Sequence, residues 1–308
     1  MSNNGDGKLP DMQAFHSRLA LRGTLTLSTG LRVGAGRGSW LEGAELPVIK
    51  TADGRPYIPG TSFKGAWRAT TEALLRGLPG AEDKNLACLS VPRDEKTVPP
   101  EVCLTSAAAT QLKARPTEEW GEVLSDRLTV VSDLALDDAL RALSCWTCRV
   151  FGAPWLAGKV LIRDLPLLSS LADTVEPQVR DGVAIDRDKG SASPKRKFAY
   201  QVVPAGTAFA FEVVIENASE AELGLAWLGL TGFQRGEIPL GGARSRGLGR
   251  CQLLIDWDRS QWLTQDNLLE SLFPEDLSQL VGVLGSEGSE VAQGWWQVFR
   301  SRAGLEGS

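Results

Sequence analysis

The chain has 308 residues, 43% of them hydrophobic and 23% charged, which is enough apolar material for one full core and leaves room for two domains or large insertions. A net charge of −5 excludes a protein that coats nucleic acid over its whole surface, so any nucleic-acid site has to be local. No apolar run of about 18 residues occurs and the start, MSNNGDGKLPDMQ, has no hydrophobic signal region, so the expectation is a cytoplasmic protein without a membrane partner. Five cysteines without a secretion signal argue against a disulfide framework and leave metal ligation or plain burial.

Residues 18–28 (RLALRGTLTLS) alternate Leu19, Leu21, Leu25 and Leu27 against Arg18, Arg22, Thr24 and Thr26, the period of a half-buried strand. After a glycine-rich turn, YIPGTSFKGAWRATTEALLRG opens with Pro-Gly and a Thr/Ser cap, and Phe63, Ala66, Trp67 and Leu74 recur at helical spacing. KVLIRDL (159–165) reads as a strand, and so does TAFAFEVVIE (207–216), with Phe209, Phe211, Val213 and Ile215 inward. Ser219 and Glu222 then form a capping-box signature before a second helix with Leu223, Ala226, Trp227, Leu230 and Phe233 on its apolar stripe. A final strand alternates Cys251, Leu253, Ile255 and Trp257. These elements predict an α+β fold with a ferredoxin-like, RNA-recognition-type β-α-β-β-α-β core. Outside it fall a long insertion with helical pieces at 105–114 and 134–143, an excursion at 180–200, and a Trp-rich helical tail.

PLGGARSRGLGRCQLLIDW (239–257) gathers glycines and arginines ahead of the last strand. Glycines let a backbone approach closely and guanidinium forks match phosphate oxygens, so Gly241, Gly242, Arg244, Ser245, Arg246, Gly247, Gly249 and Arg250 are candidate phosphate contacts. Thr61, Ser62, Lys64 and Arg68 stand on the first turns of helix one, either as a second anion site or as an ordinary solvated face. The spacing of GTSFKG is not that of a Walker loop, and VGAGRGSW lacks the setting of a dinucleotide site. The excursion carries Arg180, Arg187, Lys189, Lys195, Arg196 and Lys197 against Asp181, Asp186 and Asp188, a basic arm inside an acidic chain or a solvated hairpin. Cys145-Trp-Thr-Cys148 with Cys88 and Cys103 provides four thiols in a segment with little apolar core; a structural Zn2+ or buried free thiols would both account for them. Cys251 alternates inward. The lone histidine, His16, is a poor candidate for a general base, and no G-x-S-x-G is present.

GLRVGAG, GAELPVIKTADGRPYIPGTSFKGAWR, CRVFG and GGARSRGLGR, in that order and spread over nearly the whole chain, resemble the RAMP superfamily of CRISPR-associated proteins, and within it the repeating backbone subunit of type III effector complexes. The elements divide the chain into a core split between 1–77 and 159–257, an inserted helical subdomain at 78–158 that a zinc would staple and an appendage at 258–308; the resemblance implies that the core is a RAMP-type, modified RNA-recognition fold and that 180–203 is a thumb hairpin. It implies a guide RNA lying across the glycine-rich loop and the start of helix one, a target RNA paired to it, and head-to-tail stacking with other effector subunits. Backbone subunits of this kind cut target RNA with an acidic residue just before the Pro-Val-Ile element, which here is Glu45 where the family usually has Asp. The chemistry implied is attack by a ribose 2′-hydroxyl on the adjacent phosphate, with the carboxylate as base or as ligand to Mg2+ or another divalent ion. Two alternatives remain: a non-catalytic structural RNA-binding subunit of the same complex, and a repeat-RNA-processing endonuclease.

Overall fold

The computed structural model describes residues 14–36, 46–78, 85–88, 103, 140–168, 175–186, 191–273 and 281–305, with backbone only at 183–186 and 191–197. The helical piece expected at 105–114 and most of that at 134–143 lie outside the described residues. Strand β1 spans Ser17–Leu27 and β2 Tyr57–Ile58, followed by helix α1, Gly60–Arg76. A short helix α2 (Trp146–Phe151) leads to β3 (Val160–Ile162) and β4 (Leu165–Pro166). A long hairpin, β5 (Gln178–Asp186) and β6 (Ser191–Val202), is followed by β7 (Ala208–Glu216) and α3 (Glu220–Gln234). The chain closes with β8 (Cys251–Thr264), a short α4 (Leu268–Leu272) and α5 (Gly288–Arg302). Among the described residues no helix is long and apolar enough to cross a membrane.

The result is a mixed α+β fold whose main sheet has the order β3-β7-β1-β8 with antiparallel neighbours throughout. Alternation in β1 and β7 puts Leu19, Leu21, Leu25, Leu27, Phe209, Phe211, Val213 and Ile215 into one core with α1 and α3. The register of β1 against β8 shifts between Ala20 and Arg22, where β8 carries extra residues. Ser260 closes that gap: its hydroxyl accepts from the Arg22 amide (3.1 Å) and donates to the Asp256 carbonyl (2.7 Å). The bulge lets β8 continue to Thr264, past the Trp257 at which the alternation ends, so residues 258–264 are sheet and not part of a helical tail.

The two core helices meet through aromatic rings and one missing side chain. Phe63 stacks on Phe233 at 4.2 Å and reaches Phe211 at 5.2 Å, joining α1, α3 and β7. The Trp67 indole donates to the Ala226 carbonyl (3.0 Å), and a Cβ on Gly229 would stand 2.3 Å from that ring, so the close crossing requires glycine. On α1 the buried stripe is Phe63, Trp67, Thr71 and Leu75, while Leu74, expected inside, is 46% exposed because one step along a helix turns the side chain about 100°. α3 begins with the capping box of Ser219 and Glu222. It is apolar nearly all round because α5 covers its far side, with the Trp295 carbonyl 2.1 Å from where a Cβ on Gly224 would be. The Trp-rich tail thus docks on this chain's own core helix.

Candidate nucleic-acid interface and four-cysteine cluster

The outer face of the main sheet presents Arg18, Thr24, Thr26, Glu212, Glu216, Gln252 and Leu254, with Arg18 paired to Glu216 at 2.7 Å. Sheets that read single-stranded RNA stack bases on aromatic side chains. The outward positions of β1, β3 and β7 and those of β8 up to Asp256 carry no ring, so base stacking has no platform there.

The glycine-rich stretch offers a different surface. Its two ends close on each other through Leu240 N–H to the Gly249 carbonyl (2.9 Å), and the loop docks on the segment after β1. There Gly249 N–H donates to the Gly30 carbonyl, Gly242 N–H to the Arg32 carbonyl (both 2.8 Å) and Arg250 N–H to the Thr29 hydroxyl (3.0 Å). Gly249 has φ +89° and a Cβ there would stand 2.0 Å from the Leu240 carbonyl oxygen, so the closure admits only glycine. Ala243 also sits in the left-handed region (φ +58°), a conformation costing an L-residue about 1–2 kcal/mol. Between these anchors Arg244–Arg246 form one 3-10 turn on which Arg244, Ser245 and Arg246 are exposed, as is Arg250 beyond it. None of the three arginines makes an ion pair among the described residues.

Two more guanidinium groups border this loop. Arg32 lies over the Tyr200 ring (5.8 Å to the centroid), and its buried Nε has no hydrogen-bond partner among the described residues. Arg180, at the base of the β5–β6 hairpin, is exposed and brings Nη2 to 3.5 Å from where a Cβ on Gly30 would be. Sequence reasoning did not single out Arg32; its position inside GLRVGAG was the only signal. Lys195, Arg196 and Lys197 lie on β6, and Arg187 and Lys189 lie outside the described residues. So does Glu45. The residue after it, Leu46, is joined to β6 by hydrogen bonds from its amide to the Ala199 carbonyl (3.1 Å) and from Gln201 N–H to its own carbonyl (3.0 Å).

The other expected contacts are placed differently. Thr61 is exposed and Ser62 half-buried at the start of α1, where the Asp164 carboxylate already accepts from the Gly60 amide (2.8 Å). Lys64 turns its ammonium to the Val160 carbonyl (2.8 Å), and burial, reinforced by Arg68, lowers its pKa. Arg68 is held by Glu72 and the Gly152 carbonyl and lies 22% exposed. His16 directly precedes β1, with its amide on Asn217 Oδ1 (2.8 Å) and its Nε2 buried.

Cys88, Cys103, Cys145 and Cys148 converge, with all sulfurs within 4.8 Å of one another; Cys88 is half-buried and the others buried. Chain segments distant in sequence are brought together by backbone hydrogen bonds, Trp146 N–H to the Asn85 carbonyl and Thr147 N–H to the Leu86 carbonyl, both 3.1 Å. All described cysteines are free thiols. A metal with four thiolate bonds of about 2.3 Å needs sulfur separations of about 3.8 Å, close to the 3.5 Å between Cys88 and Cys148, so the cluster could hold a metal such as zinc. Cys251 is buried on β8, and burial pushes its thiol up to about 12.

An α+β protein with an antiparallel sheet, a glycine-braced arginine loop and a four-cysteine cluster matches the family model for the RAMP superfamily over residues 24–252, and the chain belongs to that superfamily. It is also similar to the CRISPR system Cms endoribonuclease Csm3 of Mycobacterium tuberculosis (strain ATCC 25618 / H37Rv), 44% identical over 59 residues. That stretch is 18% of this chain and 25% of the relative, so the chain matches only a quarter of that protein's length.

Proposed function

We propose that this protein is a guide-RNA-binding backbone subunit of a type III CRISPR ribonucleoprotein effector, with phosphates of the guide held by Arg244, Arg246 and Arg250. The observation that carries the reading is their state: exposed and without ion-pair partners among the described residues, on a loop braced by left-handed residues and docked on the Gly30–Arg32 segment. Arg32 and Arg180 extend the same surface, and Thr61 and Ser62 at the start of α1 are proposed as further contacts to the guide. Contacts of this kind recognise the backbone without reading bases. The sheet order supports a ferredoxin-like core, and the β5–β6 hairpin with its basic residues supports a thumb set into the guide–target duplex. Membership of the RAMP superfamily and the likeness to Csm3 favour target-RNA cleavage by Glu45, as general base toward a 2′-hydroxyl or as ligand to a divalent ion. The buried Nε2 of His16 disfavours the repeat-processing alternative. The four-cysteine cluster holds a structural zinc that staples 85–88 and 103 to α2, and the other faces of the subunit meet its neighbours in the stack.

The decisive experiment is cleavage of guide-complementary RNA by the assembled complex with Mg2+, comparing wild type, Glu45→Ala and Glu45→Asp. Loss in Ala with retention in Asp is expected. Equal cutting by all three means a structural subunit, with the chemistry elsewhere.

A further inference from the structure

Of the α1 cations that sequence spacing directs toward RNA, Lys64 turns to a β3 carbonyl and Arg68 turns to the cysteine cluster. Arg68 uses every nitrogen of its guanidinium on a different partner: Nε donates to Glu72 Oε1 (2.6 Å), Nη1 to the Gly152 carbonyl (2.7 Å) and Nη2 to Cys148 Sγ (3.5 Å). Glu72 is 4% exposed, and its second oxygen lies 3.6 Å from Arg76 Nη1. Arg76 in turn donates to the Cys88 carbonyl at 2.8 Å. One face of α1 therefore grips the sulfur of one cysteine, the carbonyl of another, and the turn that ends α2.

We propose that Arg68, oriented by Glu72, is a positioning residue of the metal centre: its N–H bond to Cys148 Sγ stabilises the charge of a thiolate-bound metal and fixes that ligand. This rests on the metal reading above. Four thiolates around a divalent ion leave two negative charges in a largely buried site, and removing such charge from water is costly unless fixed donors replace the solvent. Among the described residues Arg68 is the one charged side chain with a hydrogen bond to a cluster sulfur; the Cys145 amide, donating to Cys103 Sγ at 3.3 Å, supplies a neutral donor. Glu72 keeps the guanidinium from swinging out, and Arg76 aligns the backbone of Cys88 without touching a sulfur.

The test uses the full chain loaded with zinc, and then with Co2+ as a spectroscopic substitute. Metal content of the wild type comes first: less than about half an equivalent removes the centre itself, and the inference with it. With a loaded wild type, chelator competition should show Arg68→Met losing about 10- to 100-fold in metal affinity. Its thiolate-to-cobalt charge-transfer band should move to lower energy, because a sulfur without its donor holds its electrons less tightly. Arg76→Met should leave the band in place. Wild-type affinity and an unshifted band in a folded Arg68→Met overturn the proposal. Should Arg68→Met not fold, Glu72→Gln serves in its place: it loosens Arg68 without removing it, so a smaller affinity loss with a shift of the same sign is expected, and no change in either is the overturning result.

Discussion

Two sets of cations in this chain look alike in sequence and differ wholly in the fold. Lys64, Arg68 and Lys159 are drawn inward: Lys64 to a β3 carbonyl, Arg68 to Glu72 and the cysteine cluster, Lys159 to Glu222 at 2.5 Å with both groups 1–2% exposed. Arg244, Arg246 and Arg250 face solvent from a braced loop, with no ion-pair partner among the described residues. The difference teaches that a positive charge is available to RNA only where the fold leaves it unsatisfied. A local basic surface can then exist on a chain of net charge −5.

The sharpest way to break this comparison is to remove the partner of an inward cation. Burial alone would push the Glu222 carboxyl up, but Lys159 first and then Arg149 outweigh it and hold the pKa below 4.5. Glu222→Gln should cost about 3–5 kcal/mol in denaturant unfolding, because Lys159 is left buried and uncompensated. A lowered carboxylate pKa gives stability that is present above the unfolded value of 4.5 and is lost as pH falls through the lower folded value, so wild type and variant should converge in acid.

Next in size is the triple change Arg244→Ala, Arg246→Ala, Arg250→Ala. Guide-RNA affinity should fall about 100-fold, on the order of 1 kcal/mol per arginine, with unfolding little changed. The salt dependence of log K should flatten by about 2, at roughly 0.7 for each phosphate no longer neutralised. A smaller effect is expected of Gly249→Ala, about 1–3 kcal/mol of strain at φ +89° against the Leu240 carbonyl, read as a drop in melting temperature together with weaker RNA binding. The smallest is Lys64→Met: a loss of about 1 kcal/mol of stability or less, with RNA affinity within roughly twofold of wild type. A large RNA defect in Lys64→Met alone would erase the distinction between the two sets.

Much of the framework was legible from periodicity. Strand alternation in 18–28 and 207–216 and the Ser219/Glu222 cap correspond to β1, β7 and the start of α3, because local pattern and tertiary burial agree there. The end of β8 was not legible: the bulge at Ser260 interrupts the alternation, and pattern reading stops where the period breaks. Leu74 failed for a related reason, since an apolar residue one step off the stripe looks like core until the neighbouring helix is placed. At the site, the arginine loop could be read as a cluster, whereas Arg32 could not, because its role comes from hydrogen bonds between segments more than 200 positions apart.

By itself the sequence determined the apolar periods, the Ser219/Glu222 cap and the glycines that a tight loop demands, since each of these is set by residues within a few positions of one another; the Thr/Ser cap expected on α1 is not formed, because its N-cap is Pro59 with no side-chain hydrogen bond. Tertiary structure alone decided which cations are consumed and which remain free, that Cys88 and Cys103 meet the Cys145–Cys148 pair, and that the Trp-rich tail packs on α3. Those outcomes depend on contacts across long stretches of chain, where satisfying a buried charge or closing a pocket is a property of the assembled core and leaves no local pattern to read.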